Sequence, residues 1–206
     1  MRTEFYEKLR GLLLTGESPT LESSLELGHL GEERLRWSGG TLGALPEGRT
    51  FCQTLSAPAR LVICGGGHVA RCLAPAARAV GFQVTVLENR PEVLTEGTFG
   101  ADIDCRCGDF VESLQGGAFG PNAFFAIMTR GHQDDWVCLK TALALPHGYV
   151  GMMGSRSKVA ATRKMLAEKG FDTEAIDSVH SPIGLKIGAE TPAEIAVSIV
   201  AELIRC

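Results

Sequence analysis

The run Leu61–Ala70, a short apolar stretch that breaks into three glycines, constrains the fold of this chain more than any other feature. Leu61–Cys64 is typical of a buried strand, and a helical pattern follows the glycines. In such a unit Gly65 permits a tight turn, Gly67 lets backbone amides approach a diphosphate, and the small Ala70 lets the helix pack closely on the strand. The pattern therefore predicts a strand–turn–helix unit whose helix start attracts an anion. The candidate binding residues of this loop are Gly65, Gly66, Gly67, His68 and Val69.

Beyond residue 58, apolar strands alternate with helical patterns. The predicted strands are Arg60–Cys64, Gln83–Leu87, Asp102–Cys107, Ala123–Met128 and Gly148–Met152, and the predicted helices are Gly67–Val80, Asp135–Ala144, Ser155–Lys169 and one that begins at the capping box Thr191–Glu194. This alternation predicts an α/β fold, a Rossmann-like parallel sheet covered by helices on both faces.

The first 57 residues have a different sequence pattern, which predicts a small amino-terminal α+β appendage. An amphipathic helix is expected at Glu4–Leu14, strand-like alternation at Leu21–Leu27 and Glu33–Trp37 indicates a hairpin, and Phe51–Leu55 indicates another strand. Because Ser56-Ala57-Pro58 is a plausible hinge, we place the boundary there, with the Rossmann-like domain over residues 58–206.

The composition argues against several classes of function. The net charge is −4 and no basic cluster with interleaved aromatics occurs, so we expect no nucleic-acid partner. The longest apolar stretches have the length of strands and Met1–Arg10 does not resemble a leader, which predicts a cytoplasmic protein without a membrane span. The 7 cysteines are irregularly spaced and indicate reduced thiols. No histidine pair has a local ligand spacing, so we expect no metal site.

Glu88 ends the second predicted strand, where an acid accepts hydrogen bonds from the ribose hydroxyls of an adenosine. Arg90 follows two residues later and is suited to pair with a ribose 2′-phosphate. The sequence therefore leaves the choice between NAD and NADP open. The alternative for the whole loop is an empty Rossmann turn that serves only as scaffold.

Two further polar loops follow later strands of the same sheet. In Thr129–Asp135, Arg130 is suited to a phosphate or carboxylate, His132 to proton exchange near neutral pH, and one of the two aspartates to capping the next helix. Gly154–Lys158 starts a helix with hydroxyls and cations, which suits a second anionic group. The alternative is that these side chains only cap the helices and fix the loops. The candidate binding residues here are Thr129, Arg130, His132, Ser155, Arg156 and Lys158.

Taken in order, these segments resemble the carboxyl-terminal Rossmann domain of the xanthine dehydrogenase accessory family (XdhC/CoxI type). The residues that carry the resemblance are Leu61–Ala70, Glu88–Pro91, Thr129–Asp135, Gly151–Lys158 and Pro182–Leu203. Pro182–Ala189 followed by Thr191–Ala196 is the most specific part, and the similarity covers about residues 50–206. Residues 1–49 look like an abbreviated form of the longer amino-terminal domain that the family commonly carries.

The resemblance implies a cytoplasmic maturation factor, usually a dimer, that binds the molybdenum cofactor (molybdopterin), assists its sulfuration and delivers it to a molybdenum hydroxylase such as xanthine dehydrogenase. A cysteine desulfurase is then a further candidate partner. This interpretation predicts binding and delivery rather than turnover. Two alternatives stay open: an NAD(P)-dependent oxidoreductase with His132 as the catalytic acid/base, and a nucleotide-sensing regulator.

Overall fold

The computed structural model describes residues 2–95, 97–117 and 119–206, and the chain divides into two compact units, residues 1–57 and 58–206. The elements described in the first unit are α1 (Arg2–Leu14), β1 (Thr20–Ser24), β2 (Glu33–Trp37), β3 (Gly40–Leu42) and β4 (Thr50–Thr54). Its strands form an antiparallel sheet in the order β3-β2-β1-β4, around a small core of Phe5, Leu12 and Leu35. The expected hairpin is formed by β1 and β2.

The second unit is a parallel sheet with helices on both faces. Its elements are β5 (Arg60–Cys64), α2 (His68–Ala79), β6 (Gln83–Glu88), a 3-10 turn (Pro91–Val93), β7 (Asp104–Cys107), α3 (Phe110–Gln115), β8 (Ala123–Ile127), α4 (His132–Leu143), β9 (Tyr149–Met152), α5 (Arg156–Glu168), α6 (Thr173–Ser178), β10 (Val179–His180) and α7 (Pro192–Arg205). The strand order β10-β9-β8-β5-β6-β7 is that of a doubly wound Rossmann sheet, with the order reversing between β5 and β8. The predicted fold class is confirmed.

The strand register brings several loops to one edge of the sheet. Cys64 at the end of β5 pairs with Leu87 of β6 and with Ile127 of β8, and Ile127 pairs with Met152 at the end of β9. Because these parallel strands end level, the segments that follow them emerge side by side. This carboxyl edge is where open α/β sheets bind ligands.

The core lies on both faces of the sheet because side chains alternate along each strand. Leu61 and Ile63 face α2 and α7, whereas Val62 and Cys64 contribute to the cluster on the opposite face. The first helix of the unit, α2, packs along α7. Helix α7 begins at the predicted capping box, in which the Thr191 hydroxyl and the Glu194 carboxylate each accept a backbone N–H.

Several boundaries differ from those predicted. Helix α4 begins at His132 rather than Asp135, because the extended backbone of Gly131 already serves as its N-cap. Helices α3 and α6 were not predicted, since six residues are too few to show helical periodicity. Both carry a readable start signal, namely an aspartate whose carboxylate accepts the backbone N–H three residues on, Asp109 in α3 and Asp172 in α6.

Candidate functional site

The glycine loop joins β5 to α2 at the carboxyl edge and is open at one residue. Gly65 has a φ of 108°, and a Cβ there would lie 2.5 Å from the Met128 carbonyl oxygen, so only glycine lets the loop pass the end of β8. A Cβ on Gly66 would lie 2.7 Å from Cγ1 of Val93. At Gly67, apart from the residue itself, its two chain neighbours and the adjoining helix backbone, no atom of the described residues lies within 4 Å of the Cβ position. The backbone at Gly67 therefore borders open space.

Glu88 is almost fully buried, 1% exposed, and its carboxylate is occupied by donors of the protein itself. Oε2 accepts from the Gly66 N–H (2.9 Å) and from Nη2 of Arg90 (2.8 Å). Oε1 accepts from Nε of Arg90 (2.9 Å) and from the backbone N–H groups of Asn89 and Arg90. Burial alone would raise the pKa of Glu88, but the hydrogen bonds from Arg90 and Gly66 outweigh it and hold the pKa below its ordinary value. This carboxylate holds the glycine loop in place.

Asp135 connects the loops that follow β8 and β9. Its Oδ1 accepts from the Thr129 N–H (3.0 Å) and hydroxyl (2.7 Å), and its Oδ2 accepts from the Lys158 ammonium. Asp135 is buried, and Lys158 is 19% exposed. The ammonium expected to anchor an anion is thus paired inside the protein. Neither Asp134 nor Asp135 caps α4, because the oxygens of Asp135 are taken by these donors and Gly131 provides the cap.

Two clefts open beside these loops. They share Arg90, Thr129 and Arg130. The larger, of about 410 Å³, is also lined by Gly66, Gly67, His68, Arg71, Val93 and Met128. The smaller, of about 340 Å³, is also lined by Glu88, Asn89, Phe110, Gly131 and Asp134. The glycine loop and the loop Thr129–Asp135 therefore border the same place on the carboxyl edge.

The lining of the larger cleft combines the open glycine backbone with positively charged side chains. Arg71 and Arg130 are exposed, and neither forms an ion pair within the described ranges. His68, the first residue of α2, is also exposed and lines the same cleft. Backbone amides at a helix start together with two guanidinium groups can bind a phosphate or another compact anion.

Arg71 is a site residue that the sequence analysis missed. It lies four residues after Gly67, and its N–H donates to the Gly67 carbonyl, so it occupies the first turn of the helix that the glycine loop opens. Residues four apart lie on the same face of a helix. This spacing was the available signal for Arg71.

Several predicted site residues lie elsewhere. His132 is exposed at the start of α4, and Val69 packs against the core of the α2 face, so neither side chain lines the two clefts. Ser155 serves as the N-cap of α5, where its hydroxyl accepts from the Lys158 N–H. The side chain of Arg156 lies outside the part of the chain that the structure describes.

The segment that begins at Pro182 packs against α7 rather than lining either cleft. Glu202 of α7 is buried, and its Oε2 accepts from the Gly184 N–H (2.7 Å) and from the Tyr149 hydroxyl (2.7 Å). The His180 ring lies against the Tyr149 ring in a tilted arrangement, with 4.5 Å between ring centroids and 34° between ring planes. Burial and the hydrogen bond to Glu202 raise the pKa of Tyr149, so the phenol stays protonated and donates.

Other candidate chemistry is sparse. Among the described residues, no group of three His, Cys, Asp or Glu side chains is placed to hold a metal ion. Cys64 and Cys138 are buried side by side, and their contact raises the pKa of Cys138, whereas Cys105 and Cys107 are exposed on β7. Within the same ranges, no helix has both the length and the apolar character needed to cross a membrane.

Comparison with known proteins gives consistent matches. A family model described as the XdhC Rossmann domain matches residues 61–203. The chain is 35% identical over 150 residues to the uncharacterized protein YqeB of Escherichia coli (strain K12), a match that covers 71% of this chain and 27% of that protein. It is 32% identical over 219 residues to a probable xanthine dehydrogenase subunit of Bacillus subtilis (strain 168), covering 97% of this chain and 64% of that protein.

A solved structure extends the likeness to three dimensions. The crystal structure of a xanthine dehydrogenase from Bacillus halodurans superimposes with a TM-score of 0.75 at 26% sequence identity, and the match covers 98% of this chain and 63% of that one. The chain therefore spans less than two thirds of the length of each of these relatives.

Proposed function

Because this chain belongs to the XdhC family, we propose that it is an accessory protein that binds the molybdenum cofactor and delivers it to a molybdenum hydroxylase of the xanthine dehydrogenase type. The observation that carries the proposal is the larger cleft, which is lined by the open backbone at Gly67 together with Arg71 and Arg130. Such a site fits the phosphate of a pterin cofactor. Sulfuration with a cysteine desulfurase, homodimer formation and a cytoplasmic location are further parts of this proposal.

In this proposal, the residues of this chain bind the ligand and orient it. The amides around Gly67 and the guanidinium groups of Arg71 and Arg130 hold the anionic group of the ligand. The carboxylates of Glu88 and Asp135 fix the surrounding loops, so the cleft is formed before the ligand enters. Once installed in the client enzyme, the molybdenum cofactor supplies the redox chemistry of hydroxylation.

The oxidoreductase alternative finds less support in this geometry. Glu88 has both oxygens occupied by protein donors, and His132 lies outside the residues that line the clefts. A stand-alone hydride-transfer activity of the purified protein, removed by His132→Ala, would support that alternative instead.

We expect Arg71→Ala and Arg130→Ala each to weaken binding of the molybdenum cofactor by about ten- to a hundredfold. Each substitution removes a charge-assisted hydrogen bond, which contributes about 1.5–3 kcal/mol. Arg78→Ala is the matched control, because Arg78 is exposed in the last turn of α2 and does not line the clefts. The dissociation constant would be measured by titrating the isolated cofactor into each purified variant.

Delivery is tested in the same variants by co-expression with a xanthine dehydrogenase-type hydroxylase. The molybdenum content and the activity of the client should fall for Arg71→Ala and Arg130→Ala and stay unchanged for Arg78→Ala. Cofactor affinity that is absent in the wild-type protein, or a client that matures equally well without this chain, would contradict the proposal.

Gly67→Val is expected to weaken cofactor binding at least about tenfold with little effect on stability. Its Cβ would enter open space at an ordinary φ of −68°, so the branched side chain meets the ligand rather than the protein. Gly65→Ala is the contrasting variant, since its Cβ would lie 2.5 Å from the Met128 carbonyl oxygen. Thermal unfolding and cofactor titration separate the two effects. Full affinity in Gly67→Val would remove the glycine loop from the site.

A further inference from the structure

The carboxylate of Glu88, at the end of β6, has no free lone pair left to accept a hydrogen bond from a ligand. A dinucleotide-binding Rossmann domain presents an acid at this position to the ribose hydroxyls. An ionised carboxylate offers about four lone-pair sites. In this chain five donors converge on Glu88, two from the Arg90 guanidinium and one each from the backbone N–H groups of Gly66, Asn89 and Arg90, so no lone pair is left free.

We infer that Arg90 is a specificity-determining residue, which closes the cleft to adenine dinucleotides such as NAD by occupying Glu88. The cleft remains available to ligands, such as a phosphomonoester, that place an anionic group at the glycine loop and do not depend on a ribose diol for binding. The inference rests on the proposed function in one respect, namely that this cleft is the ligand site.

The bidentate pair is strong enough for this role. The Nε and Nη2 atoms of Arg90 lie 2.9 Å and 2.8 Å from the two oxygens of Glu88, and the Arg90 side chain is 29% exposed. A ribose diol that replaced the guanidinium would break two hydrogen bonds between opposite charges, and its hydroxyls would offer only bonds in which the carboxylate alone is charged. It would also leave the Arg90 guanidinium without its partner. The exchange is therefore unfavourable, and Glu88 adds nothing to the affinity of the cleft for NAD.

The same arrangement disfavours NADP. Arg90 directs two of its donor atoms at Glu88, so this edge of the guanidinium cannot also pair with a 2′-phosphate. A phosphate at that place would lie close to the Glu88 carboxylate and be repelled by it. The sequence left open whether Arg90 pairs with a 2′-phosphate, and the structure pairs its guanidinium with the Glu88 carboxylate.

Removing the guanidinium should create a dinucleotide site. In Arg90→Ala, Glu88 keeps the backbone N–H donors of Gly66, Asn89 and residue 90, and the loss of the guanidinium frees a lone pair on Oε2 for a ribose hydroxyl. NAD binding, measured by calorimetric titration, should tighten by about tenfold or more relative to wild type. NADP binding should not tighten, because the freed carboxylate repels the 2′-phosphate. A loosened cleft without a specific acceptor would improve both ligands equally, and that result would overturn the inference.

The neighbouring strand offers a matched control. Arg106 pairs with Asp104 two residues before it, through the same Nε and Nη2 atoms, but on β7 and outside the lining of the clefts. Arg106→Ala should leave the affinity for NAD at the wild-type value. The double variant Arg90→Ala/Glu88→Gln should lose the gained affinity, because the amide lacks the charge and one of the acceptor oxygens.

Arg90→Lys provides a second test should the alanine variant not fold. Lysine retains the positive charge but cannot form the bidentate pair, so an intermediate gain in NAD affinity is expected. Wild-type protein that binds NAD as tightly as either variant would overturn the inference. Titration of the molybdenum cofactor into the same proteins tests the proposed function separately, since that function fails only if the wild type does not bind the cofactor.

Discussion

Asp135→Ala is expected to lower the free energy of unfolding by about 3–5 kcal/mol. The carboxylate is buried and serves three donors at once, the N–H and hydroxyl of Thr129 and the ammonium of Lys158. Its removal leaves a largely buried cation without a partner and the Thr129 N–H without its acceptor, whereas the Thr129 hydroxyl can still donate to the Gly131 carbonyl. The loss is more costly than that of an exposed pair. Chemical denaturation at pH 7 measures the change.

Asp134→Ala is the control for this prediction. Asp134 precedes Asp135 in α4, and its carboxylate accepts one long hydrogen bond, 3.4 Å from Nδ2 of Asn89. We expect this control to lower the free energy of unfolding by less than about 1 kcal/mol. The paired replacement Asp135→Leu/Lys158→Met should recover part of the lost stability, because no unpaired charge remains. Equal losses for Asp134→Ala and Asp135→Ala would contradict the role given to Asp135.

The long elements of the second unit were predictable because each shows its period over enough residues. Buried parallel strands such as β5 and β8 read as continuous apolar runs, and their alternation with helices implies the parallel sheet. Helix α7 has its capping box and proline in the sequence itself. By contrast, β3 and β10, of three and two residues, exist through pairing with neighbouring strands, which no local pattern contains.

The place of the candidate site was also predictable, but its internal pairing was not. Parallel strands that end level bring the loops after β5 and β8 together, so Gly67 and Arg130 could be assigned to one edge. Whether a charged side chain meets a ligand or another side chain depends on rotamers and on distant elements. Lys158 meets Asp135 across 23 residues of sequence, and the hydroxyl of Tyr149 meets Glu202 across 53.

Glu202→Ala is expected to lower the free energy of unfolding by about 3–5 kcal/mol at neutral pH. The substitution leaves the Tyr149 hydroxyl and the Gly184 N–H without their acceptor, and it removes one of the hydrogen bonds between α7 and the segment after β10. Glu168→Ala is the control, because that carboxylate is exposed and lies 3.8 Å from Nζ of Lys164, a pair that contributes about 0.5 kcal/mol or less. Denaturant unfolding measures both changes.

The pH dependence separates the charge of Glu202 from its hydrogen bonds. Burial alone would raise its pKa, but the hydrogen bonds from Tyr149, Gly184 and His180 outweigh it, and the pKa lies below its ordinary value. The carboxylate therefore contributes stability fully above the unfolded-state pKa of about 4.3, and loses it as the pH falls through the lowered pKa of the folded protein. Glu202→Gln keeps an oxygen for Tyr149 and Gly184 but cannot ionise. Its stability should fall less on acidification than that of the wild type, and an equal fall would show that Glu202 carries no such charge-dependent stability.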